Sequence, residues 1–147
     1  MSNGKKIKIG DNIDSDHCIA LTHEFLRCDD AFKEFELFSK LMIMKGKSRW
    51  ISYKAYNAYA GFIHHLYEFL VGCHARNLEE TEIPKDIGKR IGGKKRHQVI
   101  DGFITEDIKK ILKKKRKAIL KGTAPEWEND ISYYPESAPG EFASDFR

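Results

Sequence analysis

No proline occurs among the first 83 residues; the four in the chain stand at Pro84, Pro125, Pro135 and Pro139. Proline ends helices because it lacks an amide proton and its ring clashes with the preceding turn. More than half the chain is thus free of its strongest helix stop, and an all-α fold is expected. The apolar spacing agrees. Phe32, Phe35, Phe38, Leu41 and Met42 recur every three or four residues, which puts them on one helix face.

The elements follow from start and stop signals. The acidic 11–16 loop offers Ser15 or Asp16 as an N-cap for a first helix over about 17–27. Asp29 or Asp30 can cap a second helix that ends at Lys45-Gly46-Lys47, with Gly46 in the usual C-terminal position. Ser48 caps the third, whose span from Trp50 to Arg76 would measure about 40 Å at 1.5 Å per residue. Residues 77–93 read as a connection, and a helix resumes over 94–101. Thr105, followed by Glu106 and Asp107, opens a fourth helix, with Ile108, Ile111, Leu112, Ile119 and Leu120 as its buried stripe and Gly122 at its end. The expected architecture is an antiparallel four-helix bundle over 17–122, with the 50–76 helix long and central. Before it, 1–16 is expected to be a flexible segment. Its Lys6-Ile7-Lys8-Ile9 alternates like a strand but has no visible partner, so an extended segment is expected. After it, 123–147 forms an irregular acidic tail.

A chain of 147 residues is about one domain by length. No apolar run reaches the roughly 20 residues of a membrane span, because Lys54, Asn57, His64, His65 and Glu68 interrupt the most hydrophobic stretch. The N-terminus lacks the apolar run of a signal peptide. Cys18, Cys28 and Cys73 form no CxxC pair and leave an odd thiol, which suits a reduced cytoplasmic setting. A soluble protein with no membrane contact is expected.

Charge is unevenly spread. Residues 1–84 hold 11 Lys and Arg against 12 Asp and Glu, residues 85–121 hold 14 against 4, and residues 122–147 hold 1 against 6. A basic block followed by an acidic tail points to a polyanionic partner, to a tail that covers the block, or to both.

Three constellations could carry chemistry. The first is a polar stripe on the otherwise apolar 50–76 helix: Asn57, Gly61, His64, His65, Glu68 and Gly72. His64 and Glu68 stand at i and i+4, where a carboxylate can orient an imidazole, and the glycines would admit a second backbone or a ligand. The stripe can be a solvated strip, a functional or subunit contact, or part of a metal site completed by His17 or His23. No metal or other cofactor is expected. The second is the basic block: Lys94, Lys95 and Arg96, then Lys109, Lys110, Lys113, Lys114, Arg116 and Lys117 on one helix. Like charges at i, i+4 cost helix stability. Phosphate neutralisation would justify them, as would simple solubility. No aromatic residue lies between Lys109 and Lys121, so contact through this helix would be to nucleic-acid backbone. The third is Arg90 and His97, with six residues between them. An imidazole can take the proton of a 2′-hydroxyl while a guanidinium stabilises phosphoryl oxygens, which is metal-independent RNA cleavage.

The helical plan, the Tyr59-Ala60-Gly61-Phe62-Ile63-His64-His65-Leu66-Tyr67-Glu68-Phe69 segment and the Arg90–His97 spacing together resemble HEPN domains. That resemblance implies a small helical endoribonuclease of toxin–antitoxin or phage-defence type, a homodimer, with Arg90 and His97 as the catalytic pair. It also implies RNA ahead of DNA as the nucleic acid. The family has non-catalytic members too, and the alternative is a helical adaptor or accessory subunit. In that case the aromatic residues of the acidic tail, Trp127, Tyr133, Tyr134 and Phe142, would dock on a protein partner. In a third arrangement, Glu126, Glu128 and Asp130 with Trp127 and Tyr133 fold back on the lysine helix of the same chain.

Overall fold

The computed structural model describes residues 4–136, and Phe142 lies outside them. The fold is all-α. The helices are α1 (Asn12–Lys45), α2 (Arg49–Asn77), the single-turn α3 (Ile87–Arg90) and α4 (Arg96–Leu120), followed by 3-10 turns at Glu126–Glu128 and Ile131–Tyr133. Among the described residues no helix is long and apolar enough to cross a membrane. The chain divides into two units, Met1–Pro84 and Lys85–Arg147.

Unit 1 is an antiparallel helical hairpin. The sequence predicted two helices before residue 46, and one continuous helix is found. Asp29, read as a cap, instead lies on the helix surface paired with Lys33 at 2.5 Å, while Cys28 between the expected halves is buried. Nothing in 27–30 denies the backbone its hydrogen bonds, so the helix runs through. Its N-cap is Asp11, whose carboxylate accepts from the Asp14 amide at 2.7 Å, four or five residues earlier than expected. Gly46, at φ +81°, ends α1 as predicted, and the Ser48 hydroxyl accepts from the Ile51 amide to start α2.

Four aromatic pairs run along the seam: Phe25–Phe69, Phe32–Phe62, Phe35–Tyr59 and Phe38–Trp50, with ring centres 5.3–5.6 Å apart. The α2 numbers fall as the α1 numbers rise, which defines the antiparallel register. Each such pair adds about 1 kcal/mol beyond burial of its area. Between the rings the helices touch through small residues. A Cβ on Gly61 would lie 3.8 Å from that of Ala31, and one on Gly72 only 2.3 Å from Leu21 Cδ2. Ala55, Ala58 and Ala75 are buried along the same helix.

The open end of the hairpin is tied three ways. Arg76 donates through Nε and Nη2 to the two oxygens of buried Asp14, at 2.6 and 2.9 Å, and the Gly10 amide donates to the same carboxylate. His17 Nε2 lies 3.0 Å from the Gly72 carbonyl and donates to it when protonated there. The 4–11 segment, expected to be flexible, is fixed by backbone pairing: Ile7 N–H to Glu79 O at 2.7 Å and Thr81 N–H to Lys5 O at 2.9 Å. Ile7 and Ile83 are buried there, so the alternating lysines and isoleucines do find a partner. The pairing is possible because α2 closes sharply. Glu79 takes φ +59°, and the Glu79 and Glu80 amides donate to Arg76 O and Ala75 O, a left-handed turn that satisfies the last carbonyls.

The Arg76 hydrogen bonds, then that of Gly10, hold the Asp14 carboxyl at about 2, below its usual 3.8. A depressed carboxylate pKa contributes stability above its unfolded value, and that stability is lost as pH falls through the folded value. The thermal midpoint of the wild-type protein is therefore expected to fall between about pH 4 and pH 2, with Asp14→Asn showing a smaller drop over that window. Equal acid sensitivity in the two proteins, followed by circular dichroism, would count against this lock.

Unit 2 joins α3 to α4. The sequence predicted a break between 101 and 105; the structure has one helix from 96 to 120, with Gly102 inside it and meeting no neighbour. The Gln98 side chain accepts from the Lys95 amide at 3.0 Å and closes the first turn. Ile87, Val99, Ile100 and Ile104 are buried and form the core of the unit. Gly88 is the tightest of the described glycines: a Cβ there would lie 1.6 Å from the Lys94 carbonyl oxygen.

Candidate functional site

On unit 1 the predicted polar stripe divides. Gly61, His65 and Gly72 turn toward α1, whereas Asn57, His64 and Glu68 are exposed. The imidazole–carboxylate pair seen across the hairpin is His65 with Glu24, Nδ1 to Oε2 at 2.9 Å; Glu24 also takes a 2.9 Å bond from Arg27. Sequence spacing pointed to Glu68 because it is local. Glu24 is 41 residues from His65 and has no local signal. His64 stacks edgewise on His65, ring centres 5.2 Å apart. Asn57, Gly61 and His65 line a shallow cavity of about 290 Å³ with Arg27, Asp30 and Glu34. Its carboxylates suit a cationic or polar group better than a phosphate. Among the described residues no group of three or more His, Cys, Asp or Glu is arranged to hold a metal ion.

On unit 2, Arg90 ends α3 and His97 stands in the first turn of α4, both exposed. Between them Gly92 and Gly93 both take φ +70°, a left-handed pair that reverses the chain. The Lys94 amide donates to Gly88 O at 3.0 Å, so the segments carrying Arg90 and His97 are in contact. Arg90 Nε also donates to Asp86 at 3.0 Å, which partly neutralises the guanidinium. Lys94, Lys95 and Arg96 are exposed in the same turn and at the start of α4.

The basic residues of α4 sort onto two sides. At 100° per residue, Lys110, Lys113, Lys114, Lys117 and Lys121 share one sector, and all are exposed. They extend over about 16 Å of helix axis. Lys109 is at the edge of this row and pairs with Glu106 at 3.0 Å. On the opposite side, with half-buried Ile108, Leu112 and Ile119, lies Lys115, and the tail folds back there. Lys115 pairs with Glu128, which raises its pKa above the usual lysine range. Arg116, expected to meet nucleic acid, donates to the Tyr134 carbonyl at 2.6 Å and to Glu136 at 3.3 Å. The tail is thus seated on its own helix as far as residue 136. Tyr134 is partly covered, while Trp127 and Tyr133 project outward at 84% and 78% exposure.

The tail occupies two cations of α4, Lys115 and Arg116, so it should oppose any polyanion contact made through them. Truncation after Gly122 is expected to raise affinity for RNA several-fold at low salt, measured by fluorescence anisotropy. An unchanged affinity would mean that the Lys115 and Arg116 contacts are irrelevant to binding.

No family model, curated protein or solved structure compared with the chain matches it.

Proposed function

We propose that the protein binds nucleic acid, RNA ahead of DNA, through phosphate contacts made by the lysine row of α4. The supporting observation is the row itself: five exposed lysines in one sector of a helix, opposite the side where the tail lies. A solvated face kept only for solubility has no need to concentrate one sign of charge against i, i+4 repulsion. Because the row has no aromatic or bidentate group, binding is to backbone and carries little sequence preference. The outward Trp127 and Tyr133 leave the tail a surface for a protein partner, in keeping with an adaptor or accessory subunit. The deciding experiment is anisotropy titration of labelled single-stranded RNA with wild type and Lys113→Gln/Lys117→Gln. Indistinguishable titrations would sink the proposal.

A second reading adds catalysis. What favours it is the left-handed Gly92–Gly93 turn, which joins the α3 segment bearing Arg90 to the start of α4 bearing His97. In this reading, which follows the resemblance to HEPN domains, His97 takes the 2′-hydroxyl proton, the 2′-oxygen bonds to phosphorus as the P–O5′ bond breaks, and Arg90 stabilises the phosphoryl oxygens; the leaving 5′-oxygen takes a proton from water, and the products are a 2′,3′-cyclic phosphate and a 5′-hydroxyl. Purified protein should then cut RNA in the presence of a chelator, and His97→Ala should lose at least about 100-fold in rate. RNA left intact by wild type, or cut equally well by His97→Ala, would leave the binding reading alone.

A further inference from the structure

The turn of the hairpin is uncovered. Eight consecutive residues, Ile43-Met44-Lys45-Gly46-Lys47-Ser48-Arg49-Trp50, are exposed, Ile43 at 85% and Met44 at 79%. Gly46 turns the chain at φ +81°, so the last turn of α1 and the first of α2 present these side chains at one end of unit 1. A single exposed apolar residue needs no explanation. Here two long aliphatic chains and an indole flank three cations, and no acid lies among them. Trp50 is 59% exposed yet held in place, its ring meeting Phe38 edgewise at 5.5 Å and its centre 5.9 Å from Lys54 Nζ. Charge is polarised in the same sense. From Leu37 to Tyr67 the chain has five Lys and Arg, namely Lys40, Lys45, Lys47, Arg49 and Lys54, and no Asp or Glu, whereas the remainder of residues 1–84 holds 6 against 12.

We infer that this tip docks on an anionic phospholipid surface, with Ile43, Met44 and Trp50 entering the headgroup boundary and Lys45, Lys47 and Arg49 held at the phosphates. The first argument is composition. Tryptophan suits a membrane interface because its ring is apolar and its N–H polar. Lysine and arginine can lay their stems in the boundary while the charge stays among the headgroups. Lys47 also lines an apolar cavity of about 480 Å³ with Phe35, Met42, Tyr56 and Tyr59, so apolar surface continues beside the tip. The second argument is orientation. An anionic leaflet attracts cations within a Debye length, roughly 10 Å, and a unit with a basic tip and an acidic remainder is turned tip-first by that field. The third is the contrast with nucleic acid. A phosphate backbone would engage the cations but leave Ile43 and Met44 in water, whereas a bilayer removes them from it. The expectation of no membrane contact rested on the length of apolar runs, and docking on a surface needs no spanning run. The contact is made by unit 1 alone and does not depend on the lysine row of α4.

The test uses the full chain with Trp127→Phe, which leaves Trp50 as its one tryptophan, and vesicles of phosphatidylcholine with about 30% phosphatidylserine. Trp50 emission should move to shorter wavelength on these vesicles, be quenched by lipids brominated on the acyl chain, and stay in place on phosphatidylcholine alone. Ile43→Ser/Met44→Ser should weaken vesicle binding at least about tenfold and leave the RNA titration unchanged. Lys47→Gln/Arg49→Gln should weaken vesicle binding about 25-fold, at roughly fivefold per cation. Both variants change exposed side chains and should keep the helical circular dichroism of wild type; either one decides the matter if the other does not fold. The α4 lysines can also draw a vesicle, so sedimentation with lipid while Trp50 emission stays as in water would overturn the inference. Vesicle affinity that a folded tip variant leaves unchanged would overturn it too, as would an equal shift on uncharged vesicles. A Trp50 unmoved by lipid, with RNA affinity lowered by Lys47→Gln/Arg49→Gln, would assign the tip to nucleic acid instead.

Discussion

Between 50 and 200 mM salt, affinity for single-stranded RNA is expected to fall by roughly 130-fold if all five lysines of the α4 row contact phosphate. The figure follows from counterion release. Each neutralised phosphate on a single strand contributes about −0.7 to the slope of log affinity against log salt, so five give about −3.5 over a fourfold change in salt. Lys113→Gln/Lys117→Gln leaves three contacts, a slope near −2, and a drop of roughly 20-fold over the same range. The two lysines are exposed and their side chains reach away from the buried side of α4, so the variant should fold as wild type does. The slope is the decisive quantity. Equal slopes for the two proteins would show that these lysines do not meet phosphate, whatever the affinity at one salt concentration.

Gly88→Ala is expected to destabilise unit 2 by about 3 kcal/mol or more, at the upper end of overpacking costs. The new Cβ would sit 1.6 Å from Lys94 O and 2.7 Å from Lys94 C, and these are backbone atoms that cannot rotate away. Relief requires opening the turn between α3 and α4, which also gives up the Lys94 N–H to Gly88 O bond and loosens α3, with its buried Ile87, from α4. Gly72→Ala is the contrast. Its Cβ would meet only the tip of Leu21, a side chain with other rotamers, and an alanine within α2 gains about 1 kcal/mol of helix propensity. Urea unfolding followed at 222 nm should show an early transition in Gly88→Ala and little change in Gly72→Ala. A neutral Gly88→Ala would mean that the α3–α4 turn is arranged differently.

What could be read from the sequence divides along local and long-range lines. The break at Gly46 and the start at Ser48 were legible because each rests on one residue's own chemistry, a left-handed φ and a hydroxyl cap. The expected break near Asp29 failed because an aspartate caps a helix only when the chain before it is not helical. Here it is, and Asp29 serves as an i, i+4 partner of Lys33. On α2, periodicity marked an apolar surface wider than one neighbouring helix can cover. It could not say which part α1 takes, so Tyr53 and Tyr56 look buried in the sequence and are exposed in the fold. The polar stripe was legible as a line of residues but not as a set of partners. His65 finds Glu24 across the hairpin, and the Asp14–Arg76 lock spans 62 positions, distances at which spacing carries no information. A tail folded back on α4 was one of three arrangements that charge suggested; Glu128 does meet Lys115, while Trp127 and Tyr133, expected to fold back with it, stay exposed.

The pairing of Lys5 with Thr81 has a topological consequence. Unit 1 begins and finishes at neighbouring points, so its backbone traces a closed circuit: up α1, around Gly46, down α2 and back to the 4–8 segment. In such a circuit the order of the two helices along the chain is a matter of where it is cut. A permuted protein with its ends at 46 and 47, and a short bridge joining the old ones, would retain every seam contact from Asp14–Arg76 to Phe38–Trp50. The hairpin can for the same reason be spliced into a loop of another protein, as a module both of whose connections leave from one corner.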